Sequence, residues 1–341
     1  MKTVKTYIPF LFILNSIIVC GQSIKGIVLD ANTNEPIESA SIYFDNTSIG
    51  TSTNDKGIFE IEQKEGVTSA LVISFLGYER VLLETYNSKE YYKILLIESI
   101  DSLDEVVIST NDGMPRAIKL EQFRQQFLGF SELSESCTIL NEDDLILRYN
   151  KISKELSASA KTPIIIRNES LKYIVHFEIR SFSIQYSYIN IQENRFHVNQ
   201  VGYTGTTFYE SFANKKDKST LEKRENAYQG SILHFMRALS KDRIEDEDFE
   251  IYSSGFKVKP SNYIFLRSVT DKPDYINVRL LKPLNILYKR KRQSSMMSRV
   301  GDFIIDPYGN FSPLAILFGG DMGDQRVGDL LPFDYILPAQ E

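Results

Sequence analysis

Gly26-Ile27-Val28-Leu29-Asp30, then Pro36-Ile37-Glu38-Ser39-Ala40, Gly50-Thr51-Ser52-Thr53-Asn54-Asp55-Lys56-Gly57 and Ser74-Phe75-Leu76-Gly77-Tyr78 form the stretch that decides the fold at the N-terminal end of this 341-residue chain. Ile24, Val28, Ile42, Phe44, Ile58, Phe59 and Ile61 fall in short runs between turn residues, with no helical spacing. Asn32-Thr33-Asn34 ahead of Pro36 reads as a turn, because Asn tolerates tight backbone geometry and Pro fixes φ. Asn54-Asp55-Lys56-Gly57 reads as a hairpin loop with glycine at a positive-φ position. The run Leu71-Val72-Ile73-Ser74-Phe75 suits a strand buried on both faces, and Gly77 behind it suits a turn or bulge. Short strands at this spacing predict a seven-strand-type β-sandwich.

Upstream, Lys2 and Lys5 precede an apolar run from Ile8 to Val19, broken only by Asn15 and Ser16. The run is about 12 residues, short of the roughly 20 that a spanning helix needs. Val19 and Gly21 are small enough for a signal-peptidase site, so residues 1–21 read as a signal peptide cleaved before Gln22. A retained anchor and lipidation at Cys20 are the competing readings, and Val19 is a poor residue ahead of a lipidated cysteine. Cleavage leaves Cys137 as the lone cysteine, so the mature chain has no internal disulfide despite an oxidising compartment. Cys137 reads as a small buried apolar side chain.

Hydrophobic residues make up 42% of the chain and aromatic residues 12%, a composition that can bury a core. The aromatics are 19 Tyr and 21 Phe with no Trp, which favours pleated sheets. A net charge of −6 argues against nucleic acid as a partner. The basic run Lys289-Arg290-Lys291-Arg292 reads as a solvated strand end or loop.

The pattern Gly26-x-Val28-x-Asp30, Pro36-Ile37-x-x-Ala40-x-Ile42, Gly50-Thr51-x-Thr53-x-x-x-Gly57-x-Phe59 and Gly77-Tyr78 resembles the carboxypeptidase-regulatory-like domain. The resemblance implies a transthyretin-like β-sandwich over residues 22–97, of a kind found at the N-termini of exported Bacteroidota proteins. In that family the sandwich is an accessory module and carries no peptidase activity. Asp101-Ser102-Leu103-Asp104-Glu105-Val106-Val107-Ile108-Ser109 resembles the segment that follows the sandwich in TonB-dependent outer-membrane receptors. The residues after it are too few for such a barrel, and they lack its repeated alternating strands. Val106–Ile108 reads as a last strand or a tether, Asn111-Asp112-Gly113-Met114-Pro115 as a turn cluster, and residues 98–116 as a linker.

Residues 117–341 read as a larger β-rich α+β domain, so the expected fold class is mainly β. Lys119–Leu128 has helical character. Lys172–Arg180 alternates, with Tyr173, Val175, Phe177 and Ile179 on one face. Ile184–Ile191 and Phe196–Tyr203 continue as strands of an antiparallel meander around a polar turn at 191–195. One prominent helix is expected after a capping box at Ser219 and Glu222, with Tyr228, Ile232, Phe235 and Leu239 as its stripe. The arrangement Leu128-Gly129-Phe130-Ser131, Cys137-x-Ile139-Leu140-Asn141, Arg224-Glu225-Asn226-Ala227-Tyr228-Gln229-Gly230-Ser231-x-x-His234-Phe235 and Gly328-Asp329-Leu330-Leu331-Pro332-x-Asp334-Tyr335 is similar to that of uncharacterised exported Bacteroidota proteins bearing the sandwich. That similarity implies no activity.

Chemistry is sparse in the sequence. His176, His197 and His234 are the three histidines, and none sits in a zinc-protease spacing. Glu245-Asp246-Glu247-Asp248 lacks the loop pattern of a calcium site. There is no Gly-x-Ser-x-Gly elbow, and Gly319-Gly320-Asp321-Met322-Gly323-Asp324 lacks the Lys-Ser/Thr of a phosphate loop. His176 and Glu178 project to one strand face and could meet. The principal polar cluster is Tyr228, His234 and Arg237 with Arg326, Asp329, Asp334 and Tyr335. It reads either as a ligand pocket or as a set of charges that cap and pin the C-terminal segment. No catalytic, cofactor or metal residue is assigned. The expected function is an exported envelope protein, periplasmic or surface-associated, acting as a non-catalytic binding module for an envelope protein or a glycan. The alternative is a hydrolase whose site assembles from distant residues.

Overall fold

The computed structural model describes residues 22–64, 67–99, 112–214 and 217–338. The signal peptide with Cys20, and the expected strand at Val106–Ile108, lie outside the described residues. Seven strands come first: β1 (Gln22–Asp30), β2 (Ser41–Phe44), β3 (Gly50–Ser52), β4 (Ile58–Gln63), β5 (Leu71–Ser74), β6 (Val81–Leu83) and β7 (Tyr91–Leu96). They form two sheets, ordered β4-β1-β7 and β3-β2-β5-β6, and β1 runs parallel to β7. Ile24, Val28, Phe44, Phe59 and Ile73 lie between the sheets in one closed core.

The residues of the opening motif build this sandwich. A Cβ on Gly26 would meet the Tyr92 carbonyl at 2.4 Å, so only glycine lets β1 approach β7 there. Asp30 accepts from the Asn32 and Thr33 amides, and the Tyr78 hydroxyl donates to it at 2.7 Å. These bonds, the Thr33 amide foremost, hold the Asp30 carboxyl below its usual range, while Asp30 pushes the Tyr78 hydroxyl up to about 12. The turn at Asn54–Gly57 has Gly57 at φ +70°, as expected. It does not close a hairpin within one sheet, because β3 and β4 belong to different sheets and the turn carries the chain between them.

The larger region is built around two cores. The first holds α1 (Arg116–Leu128) and α2 (Glu132–Glu135), then β8 (Cys137–Ile139), β9 (Leu145–Asn150), β10 (Glu155–Ala160), β11 (Ile164–Asn168), β12 (Tyr173–Asn190) and β13 (Arg195–Ser211). β12 pairs with β11 along its first half, with β10 further on, and with β13 along its other edge. Two expected strands, Lys172–Arg180 and Ile184–Ile191, are thus one. A register shift between Ile179 and Ser181 re-aims the side chains without breaking the strand. Phe123 and Phe127 of α1 pack against Phe177 and Phe182 on the inner face.

The second core begins in a helix pair. The expected single helix is two: α3 (Lys218–Tyr228) and α4 (Ile232–Ser240). Gly230 at φ +71° turns the chain, and the Ser231 side chain caps α4 by accepting from the His234 amide. Asp217, not Ser219, caps α3 through Thr220. The remaining strands are β14 (Phe249–Ser253), β15 (Phe256–Val258), β16 (Ile264–Val269), β17 (Lys272–Leu280), β18 (Leu284–Tyr288), β19 (Arg292–Ser298), β20 (Asp302–Ile305) and β21 (Ile316–Gly320). They form sheets ordered β15-β14-β18-β19-β21 and β16-β17-β20. α4 serves both cores: Leu233 faces the first, whereas Phe235, Met236 and Leu239 enter the second.

Candidate functional site

The polar residues singled out in the sequence resolve into three places. At the first, Arg237 on α4 donates to three backbone carbonyls, those of Tyr308 at 2.8 Å, Tyr335 at 2.9 Å and Phe333 at 2.7 Å. Its guanidinium also faces the Tyr228 ring, whose centroid is 5.5 Å away. A planar cation with several fixed donors suits converging carbonyls better than a lysine would. The C-terminal segment is thereby fastened to α4.

His234 lies beside this cluster, walled by the rings of Tyr228, Phe249 and Tyr288. Its Nδ1 accepts from the Gly230 amide at 3.0 Å, so that nitrogen carries no proton, and Nε2 faces Glu247 at 3.3 Å. Burial lowers the pKa of the imidazole, with Glu247 opposing. A neutral histidine that holds a turn is the result.

Arg326 and Asp329 meet at a second place, by the ends of α1 and α2. Arg326 donates to the carbonyls of Gln126 at 3.1 Å and Gly323 at 2.7 Å. Asp329 accepts from the Arg326 amide and from the Ser131 hydroxyl, and burial raises its pKa against those bonds. The expected cluster therefore divides. Tyr228, His234, Arg237 and Tyr335 come together, Arg326 and Asp329 sit apart, and Asp334 goes elsewhere.

Asp334 belongs to the third place, a seam where the sandwich meets the larger region. It accepts from the Ser48 amide at 2.7 Å and hydroxyl at 2.6 Å, and pairs with Lys64 at 3.3 Å. Around it the turn after β2 inserts against β13. The Asn46 amide donates to the Thr207 carbonyl, the Tyr209 amide to the Thr47 carbonyl, and the Phe333 amide to the Asn46 carbonyl. Tyr43 bonds Thr206 through its hydroxyl at 2.9 Å and packs on Phe208 with ring centroids 5.4 Å apart. Gly50 is needed here, since a Cβ would sit 2.6 Å from the Phe208 ring. Thr68 donates to Asp306 across the same seam. Between these groups lies a narrow crevice lined by Thr47, Thr68, Asp306, Phe333 and Asp334, with no room for a metabolite.

His176 and Glu178 also border the seam but take different partners. His176 Nε2 lies 3.4 Å from Glu210, while Glu178 meets Arg80 at 3.5 Å and Ser74 at 3.5 Å. The seam residues Asp45, Ser48, Arg80, Thr206 and Phe208 drew no attention in the sequence, because their partners lie more than 90 positions away and no local pattern marks them. Elsewhere, burial pushes the Cys137 thiol up to about 12, which leaves it unreactive at neutral pH. In the acidic run, Asp246 and Glu247 pair with Arg243. Lys289 and Arg290 turn the β18–β19 hairpin, with φ of +46° and +55°. Among the described residues no group of three or more His, Cys, Asp or Glu side chains could hold a metal ion, and no helix is long and apolar enough to cross a membrane.

Comparison with known proteins bears on the sandwich. An 86-residue stretch is 34% identical to the TonB-dependent receptor SusC of Bacteroides thetaiotaomicron. It covers 25% of this chain and 8% of that receptor, so the chain spans only a small part of the relative it matches. Residues 24–108 match the profile of the CarboxypepD_reg-like domain. With its two sheets and its motif residues in the positions described above, this part of the chain is a CarboxypepD_reg-like domain.

Proposed function

We propose that the protein is an exported component of the cell envelope, periplasmic or surface-associated, in which the sandwich is an accessory module. The larger region makes a non-catalytic contact with an envelope protein or a glycan. In this reading residues 1–21 are a signal peptide, 22–97 the sandwich, 98–116 a linker, and 117–341 the contact-bearing region with its two cores. Similarity of the sandwich to part of a TonB-dependent receptor supports the envelope assignment. One observation carries the non-catalytic reading. Arg237, one of the two arginines of the sequence cluster, engages all three of its guanidinium nitrogens with backbone carbonyls. A group engaged in this way holds structure and does not turn over substrate.

The test is reversible crosslinking in the producing cell, followed by purification and metal analysis. The expected product is the mature chain beginning at Gln22, joined to an envelope protein or glycan and free of zinc. One equivalent of zinc together with hydrolysis of a peptide or glycan would overturn the reading.

A further inference from the structure

We propose that the seam is a proton-sensitive joint: the sandwich binds the larger region more tightly in mildly acidic medium than at neutral pH, and Asp45 is the group that takes up the proton. The inference stands whichever partner the protein has, because it concerns a contact within the chain.

The sandwich closes its own core, and among the larger region's apolar side chains Tyr308 packs on it. What joins the two bodies is mainly hydrogen bonds and charges, the kind of interface across which domains move. The charges do not balance. Four carboxylates border the seam: Asp45, Glu178, Asp306 and Asp334. Glu178 pairs with Arg80 and Asp334 with Lys64. Asp45 and Asp306 have no ion-pair partner among the described residues and rely on hydrogen bonds. Asp306 takes two of its donors, the Tyr308 and Asn310 amides, from its own loop and keeps them when the seam opens. Asp45 instead accepts from the Thr207 amide, at 2.7 Å, on the far side.

Docking therefore costs Asp45 its water and returns one cross-seam amide, since Arg80 belongs to the sandwich and accompanies Asp45 whether or not the seam is closed. The groups facing Asp45 are Arg80 ahead of β6, Tyr43 on β2 and Tyr209 on β13, while Glu178 on β12 faces Tyr43 and pairs with Arg80. Burial dominates and raises the carboxyl to about 6, against amide bonds from Thr207 and Asn46 and the charge of Arg80. Burial raises Glu178 as well. His176 sits on the same strand face, with Nε2 3.4 Å from Glu210. Undocked, Asp45 returns to its ordinary range near 3.8. The docked form thus binds the proton more tightly. Its advantage is complete below the undocked value and is lost as pH rises through about 6.

Hydrogen exchange of the seam amides Asn46, Thr207, Tyr209 and Phe333 reads the joint, after correction for intrinsic rates. Opening should become about tenfold more frequent between pH 5 and pH 7, as one proton shifted from 3.8 to about 6 requires. Asp45→Asn keeps an oxygen acceptor for the Thr207 amide and cannot titrate, so its seam amides should show no such slope. The sandwich amides of Val28 and Thr53 should be insensitive in both proteins. Equal protection at the two pH values, an unchanged slope in Asp45→Asn, or a parallel change at Val28 and Thr53 would each overturn the proposal. A slope that survives Asp45→Asn and vanishes in His176→Gln would refute the assignment to Asp45.

Discussion

Arg237 can satisfy the Tyr308, Phe333 and Tyr335 carbonyls together because its nitrogens are fixed in one plane. Arg237→Ala leaves three carbonyls to find water in a half-buried setting. It should destabilise the protein by about 3 kcal/mol, given roughly 1–1.5 kcal/mol for each bond. Arg237→Lys should recover only a minor part, because a single ammonium cannot span the three positions. Thermal melting of both variants checks this, and wild-type stability in Arg237→Ala would show the contacts to be idle. The sequence placed Arg237 beside the C-terminal segment correctly. It could not reveal the acceptors, because a backbone carbonyl has no residue identity to read. Asp45 was invisible for a related reason, since its environment is made by Thr207, 162 positions away.

At the level of elements, the break between α3 and α4 shows how local and distant demands coincide. Gly230 needs φ +71°, and any Cβ there would lie 2.5 Å from the Tyr288 ring. Gly230→Ala should therefore combine backbone strain with overpacking and lower stability by about 2–4 kcal/mol. The urea midpoint measures this; a shift under about half a kcal/mol would mean that the turn relaxes freely. The helical stripe of Tyr228, Ile232, Phe235 and Leu239 was legible as apolar spacing, yet the spacing hides the break, because two helices in near register keep the same periodicity. β12 misled in the opposite sense. Its bulge near Arg180 interrupts alternation without interrupting the strand, so one long strand reads as two.

For the molecule as a whole, the sandwich was the most legible part. Its short apolar runs and turn glycines are local signals, and β1, β2, β4 and β5 lie where such signals fall, whereas β3, β6 and β7 carried none that was read. The two cores of the larger region were not separable by eye, since both are β-rich and α4 contributes side chains to each. The closed core of the sandwich predicts that residues 22–99, produced alone, fold cooperatively. A single sigmoidal melt with dispersed amide signals is the expected outcome, and a chain without a transition would show that the seam is obligatory for folding.

The bond from Ser48 to Asp334 joins groups 286 positions apart. Chain order therefore becomes an order in time. The sandwich has its core at hand, apart from Tyr308, long before Asp334 exists, whereas the Ser48–Asp334 bond must wait for the end of the chain. Contacts between such distant positions form slowly, so the fastening of the first-made part is expected to come late in maturation. Until then a finished module swings beside an unfinished one, with the Tyr43–Phe208 surface open to whatever meets the nascent chain.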